Sequence, residues 1–224
     1  MRALSSPVPN PFTAAAFGAM AVALLAGCGG GGGGGGADAN AGVGSSEAVP
    51  SVSASPAASR PTAAGRPEIT FPSGARNVFE GTKTGDAAKD AVLADSALGV
   101  NSMDEAIFKQ STGTKALGFY NADKALGAAI TYVQGYIDKG DTWIGETRYF
   151  DRKVTLSGVK DAYVTYCSDE SKSFLKNRKT GKVKNTPTTA ASYVLYHTKL
   201  TKNARGIWQT TGIVSNRGDK TCRP

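Results

Sequence analysis

Apolar and polar positions repeat with two different periods along this chain, and the change falls near Gly140. Over residues 86–110, Ala88, Val92, Gly99, Met103 and Ile107 fall near one face at helical spacing, with Asp86 after Gly85 as the N-cap. Gly99 and Asn101 weaken the middle, so the segment reads as one helix or as two. A cleaner helix follows, capped by Asn121 or Asp123 and stopped by Gly140. Leu126, Ile130, Val133 and Ile137 form its apolar stripe.

Beyond Gly140 the period is two. Residues 143–157 are long enough for one extended strand, Gly158 makes a turn, and residues 161–167 alternate Ala162, Val164 and Tyr166 against Tyr163, Thr165 and Cys167. Residues 168–189 read as a polar loop. Two more strands, 192–200 and 207–215, are joined by a turn at 203–206. Helices first and four antiparallel strands after predict an α+β domain, with N-terminal helices packed on one face of a bent antiparallel meander sheet.

The pattern before this domain is different. Residues 1–27 read as a signal peptide, with Arg2 as its positive end and an apolar run over residues 14–25 too short to span a bilayer. Leu25-Ala26-Gly27-Cys28 resembles the bacterial lipobox, which implies diacylglyceryl transfer to the Cys28 thiol and cleavage before it, usually with N-acylation by a fatty acid such as palmitate. A plain secretory peptide with Cys28 incidental is the alternative. Residues 28–66, including eight consecutive glycines at 29–36, hold almost no large apolar side chains. Such a segment cannot bury enough surface to offset its ordering entropy, so it reads as a disordered linker. The globular domain is then 67–224, long enough to bury a core. The expected address is the extracytoplasmic face of the cell membrane, held by lipid.

Helices followed by a meander are similar to the cone-shaped fold of the nuclear-transport-factor-2-like superfamily, in which helices close one side of a bent sheet and leave a pocket. The stretch from Val78 to Cys222 also resembles a family of actinobacterial (Streptomyces-like) secreted lipoproteins. That resemblance rests on Thr84-Gly85-Asp86, Phe119-Tyr120, the run from Thr165-Tyr166-Cys167 to Ser171-Lys172, Lys179-Thr180-Gly181-Lys182-Val183 and Gly206-Ile207-Trp208-Gln209-Thr210-Thr211. It implies an address and a fold but no catalytic residues. The Gly- and Ala-rich prefix suits a high-GC Gram-positive source, whose anchored proteins face the cell wall.

With Cys28 acylated, Cys167 and Cys222 remain as an even pair in an oxidising compartment. In a meander the end of the second strand lies beside the end of the fourth, which points to a disulfide; two buried free thiols are the rival. Charge is uneven. Residues 171–218 hold ten Lys or Arg and no Asp or Glu, whereas the chain as a whole has 26 cations, 18 acids and a net charge of +8. Lys172, Lys176, Arg178, Lys179, Lys182 and Lys184 would crowd onto the polar loop and could contact anionic lipid or a cell-wall polymer. A solvated hairpin tip is the plainer reading, and nucleic acid is a poor partner for an exported protein.

Chemistry is sparse. His197 is the only histidine and reads as a core or rim residue, no metal-ligand spacing or cofactor fingerprint is present, and the glycine run lacks the Lys-Ser/Thr of a phosphate loop. Asp169 and Glu170, beside many lysines, read as ion-paired, and most aromatics as core. Two functions stay open. The first and favoured one, resting on the basic loop, the tether and the lack of a catalytic pattern, is a non-catalytic surface module for an unknown protein, lipid or wall partner. The other is a small-molecule carrier or isomerase- or cyclase-type enzyme using the cone pocket, which needs a carboxylate or histidine inside an apolar cavity with its pKa raised by burial. A titratable side chain facing the pocket discriminates between them.

Overall fold

The computed structural model describes residues 65–224. Cys28, the expected signal peptide and the expected linker as far as residue 64 lie outside the described residues. In chain order come β1 (Ala75–Phe79), α1 (Ala87–Lys109), α2 (Lys115–Tyr120), α3 (Asp123–Lys139), β2 (Asp141–Ser157), β3 (Asp161–Asn177), β4 (Val183–Lys184), β5 (Tyr193–Lys202) and β6 (Trp208–Arg217). Helices pack on a bent sheet, as the change of period predicts. The fold class is α+β.

Asp86 caps α1 as expected, its carboxylate accepting from the amides of Ala88 and Lys89. The helix runs unbroken through Gly99 because tertiary contact outweighs the local penalty: a Cβ there would come within 3.2 Å of Thr210 Oγ1 on β6. Neither Asn121 nor Asp123 caps α3. Ala122 holds that position without a side-chain bond, and Gly140 ends the helix in the left-handed conformation. The buried stripe of α3 is Ala125, Ala129 and Val133, while Ile130 is 39% exposed. The helix is thus turned from the orientation its largest side chains suggest, and it offers alanines to the interior.

The sheet order is β1-β2-β3-β5-β6, with β4 attached to β3. Strands β2, β3, β5 and β6 form the expected antiparallel meander. Two strands escape the sequence pattern. β1 pairs parallel with β2, from Ala75↔Gly145 to Phe79↔Tyr149, so the sheet is mixed. The expected loop at 168–189 is also corrected: β3 continues through Asn177 and β4 folds back on it, Leu175 opposite Lys184. A long partner strand extends β3, because β2 offers ladder positions as far as Asp141↔Asn177.

Three register shifts, between Glu146/Arg148, Phe150/Lys153 and Lys199/Leu200, interrupt the ladders. Extra residues at such bulges bend the strand and increase its twist, which curls this sheet around the helices. Gly145 is required at one of these bends: its φ is +96° and a Cβ would run into the Lys172 carbonyl oxygen.

Two apolar clusters tie helices to sheet. One joins Val92, Leu93 and Val100 of α1 to Tyr149, Val164, Tyr166, Leu200 and Trp208. The other joins Ala106 and Ile107 to Leu117, Ala129, Val133 and Trp143. Each fully buried Val, Leu or Ile contributes about 1.5–3 kcal/mol. Arg66, the last residue of the expected linker, is drawn into the fold by a bidentate pair with buried Asp95, at 2.5 and 3.2 Å.

Cys167 and Cys222 are bridged, with Cα atoms 5.5 Å apart. The route differs from the expected one, since β3 runs on past Cys167. Cys222 comes instead from a 3-10 turn at Lys220–Cys222, after β6, that folds back to β3.

Candidate functional site

Between α1, α3 and the concave side of the sheet lies a cavity of about 360 Å³. That is within the range of small-molecule sites. It exists because the facing helical positions are small: Gly99 on α1 and Ala125, Ala128 and Ala129 on α3. Across from them stand the aromatic side chains of Trp143, Tyr149, Tyr166 and Tyr196 from the sheet, with Tyr132 and Tyr136 of α3 toward one end.

Asp104 lines this cavity and is the group with chemistry. Its Oδ1 accepts from Trp143 Nε1 at 3.1 Å, and its Oδ2 accepts from Asn77 Nδ2 at 2.7 Å. Among the described residues no Lys or Arg pairs with it. Burial pushes its pKa from 3.8 up to about 7; the two N–H donors oppose the rise and the charge of Glu170 adds to it. The side chain is half-buried by exposure, and its accessible part faces the cavity.

The phenols around it stay protonated. Burial raises Tyr149, Tyr166 and Tyr196 far above their ordinary value of 10.0, so each is a neutral hydrogen-bond donor. Tyr132 and Tyr136 place their hydroxyls 3.3 Å apart. The cavity's remaining charges pair with each other: Arg217 Nη1 and Nη2 meet Glu170 Oε2 and Oε1 at 2.7 and 3.2 Å. Among the lining residues Arg217 is the lone cation, and it is already satisfied.

The residues singled out from sequence lie elsewhere or act differently. Asp169 and Glu170 are ion-paired as expected, but with Arg148 and Arg217 rather than with lysines. His197 is exposed on β5, its Nδ1 3.2 Å from Thr165 Oγ1. The six basic residues do not share one loop. Lys172 and Lys176 are on β3, Arg178, Lys179 and Lys182 occupy the β3–β4 turn, and Lys184 on β4 binds Asp141 Oδ2 at 3.1 Å. Arg178 donates to the Phe108 carbonyl. No group of three or more metal-ligating side chains occurs among the described residues.

Neither a protein-family description nor a curated protein matches the chain. Among solved structures it is similar to a ketosteroid isomerase-like protein from Erwinia carotovora atroseptica SCRI1043, at 13% identity and a TM-score of 0.40, over 59% of this chain and 97% of that one. It is also similar to the intermembrane space region of the chloroplast protein ARC6, at 11% identity and a TM-score of 0.34, over 60% of this chain and 99% of that one. Likeness at this level concerns the course of the chain and carries nothing about chemistry.

Proposed function

We propose that the domain takes up a small, uncharged, largely apolar molecule bearing a carbonyl or phenol group, and that Asp104 exchanges a proton with it. The observation that carries this reading is a carboxyl group on the cavity wall that has two N–H donors and, among the described residues, no cation, so that burial pushes its pKa up to about 7. As a carboxylate it can take a proton from a carbon or oxygen acid. As a carboxylic acid it can return that proton, and such a group works best when its pKa lies near the ambient pH. Neutral phenols nearby can donate to a ligand oxygen on which charge develops. An uncharged ligand is favoured because Glu170 and Arg217 satisfy each other. A titratable group facing the pocket supports the small-molecule reading over the non-catalytic module.

The lipid on Cys28 and a place on the outer face of the membrane belong to the same proposal, on the strength of the lipobox resemblance. So does kinship with secreted actinobacterial lipoproteins. Contact of the basic side chains with anionic lipid or wall polymer is the second element, favoured by the exposed Arg178, Lys179 and Lys182 on one turn.

The test uses the full chain and a panel of cyclic ketones, phenols and their carboxylated analogues, followed by saturation-transfer NMR. Uncharged members should bind, and Ala129→Phe, which fills the cavity, should abolish the signal. Binding of no member, or binding indifferent to Ala129→Phe, overturns the reading.

A further inference from the structure

Asn77 has no place in the sequence pattern and touches no cavity space around Asp104, yet it makes the shortest bond to that carboxyl group. It stands in the middle of β1, opposite Thr147 of β2. Because β1 joins β2 in parallel, this residue is delivered under α1, where its Nδ2 meets Asp104 Oδ2 at 2.7 Å and Asn101 Oδ1 at 2.9 Å. Its own Oδ1 is buried and has no hydrogen-bond partner among the described residues. An orphaned buried acceptor is costly and calls for an explanation. Here the amide is oriented by what it donates to, at the expense of what it could accept.

We propose that Asn77 is a positioning residue for Asp104: its Nδ2 holds Oδ2 from the side away from the cavity and stabilises the ionised form. Trp143 Nε1 does the same for Oδ1, from β2. The carboxyl group is thereby gripped from two neighbouring strands while sitting on a helix, with one edge open to ligand. The other titratable and charged groups lining the cavity with Asp104 are Glu170 and Tyr166 on β3, Tyr149 on β2, Tyr196 on β5, Arg217 on β6, and Tyr132 and Tyr136 on α3. The neighbouring phenols are neutral at physiological pH, and the Glu170 charge opposes ionisation of Asp104. Asn77 and Trp143 are therefore what keeps the base available near neutrality.

The inference rests on Asp104 as the proton-exchanging group, but its readout needs no ligand. The carboxyl ¹³C resonance of Asp104 is titrated in the full chain and in Asn77→Leu and Trp143→Phe variants. Losing a donor to a carboxylate should raise the midpoint by about one pH unit or more. A variant that merely loosens the fold admits water and moves the midpoint the other way, toward the ordinary carboxylate range, so the sign separates positioning from structural damage. If Asn77→Leu does not fold, the wild-type chain still decides the matter: the Asn77 side-chain amide resonances should titrate with the midpoint of Asp104. A raised wild-type midpoint that Asn77→Leu leaves in place or lowers, or an Asn77 amide indifferent to that titration, overturns the inference alone. A wild-type midpoint in the ordinary carboxylate range removes the proton-exchange reading as well.

Discussion

Replacing Asp104 by Asn should make the variant progressively more stable relative to wild type as pH rises from 4 to 8. The folded-state pKa is raised to about 7 from 3.8, so the unfolded chain releases this proton long before the folded one does. Between those values the folded state binds more protons, and stability falls with pH. The cost is absent below pH 4 and fully present above pH 7. A shift of about three units corresponds to an upper bound of about 4 kcal/mol at 1.36 kcal/mol per unit, and water in the cavity reduces it toward about 2. Asn carries no charge at any pH and escapes this cost. It brings a cost of its own, because its amide presents N–H to one of the donors Asn77 Nδ2 and Trp143 Nε1, which then has no acceptor, roughly 1–3 kcal/mol. That second cost does not depend on pH. The quantity to measure is therefore the difference between variant and wild type in unfolding free energy by denaturant, at pH 4 and at pH 8. The variant should gain about 2–4 kcal/mol relative to wild type between the two. A difference that stays constant across the range would refute the account of Asp104 as a carboxyl group whose pKa burial raises in the absence of a cation.

The bridge between Cys167 and Cys222, which are 55 residues apart, should contribute about 4 kcal/mol in the chain-entropy model; replacing both by Ser lowers stability by about 2–4 kcal/mol, and thiols that alkylate without reductant would contradict the bond. Cys28→Ala should move the protein from the membrane to the soluble fraction or leave it unprocessed, and a wild-type mass without added lipid would exclude the anchor. Changing Lys172, Lys176, Arg178, Lys179 and Lys182 to Gln should abolish salt-sensitive binding of the chain to anionic vesicles, and binding that survives would return these residues to a solvated role. Lys184 is kept in that variant, because removing it would leave Asp141, 3% exposed, without its cation.

Elements whose period is carried by large side chains were legible. α1, β2, β5 and β6 stand within a few residues of where alternation and caps place them. β1 was not, because a five-residue parallel edge strand, Ala75–Phe79, shows too little alternation to stand out, and its partner lies far along the chain. The second half of β3 was hidden by its polarity: Ser168-Asp169-Glu170-Ser171-Lys172 reads as loop, yet ladder bonds to β2 compensate for weak strand propensity. The same error placed six basic residues on one loop. Strand pairing takes Lys172, Lys176 and Lys184 away from it.

The site was harder to see for a reason that bears on how it works. An apolar period reports where side chains fill space, whereas this cavity depends on positions that leave space open: Gly99, Ala125, Ala128 and Ala129. Reading the stripe of α3 from Leu126 and Ile130 therefore turns the helix away from its true inner face. Asp104 did leave a trace. It lies four residues after Val100 and three before Ile107, on the side of α1 that Met103 shares, so an acid stands on the stripe that faces the sheet. An acid on such a face needs a cation, a backbone partner or a function. α1 provides the contrast within itself. Asp95 has Arg66 and the Trp208 amide, and Glu105 has Lys109 and the Thr70 amide. Among the described residues Asp104 has only neutral side-chain donors, and it alone of the three faces the cavity. The two buried acids with cations are tied into the fold, and the one without stands open to the cavity, which is why the proposed chemistry is placed on it.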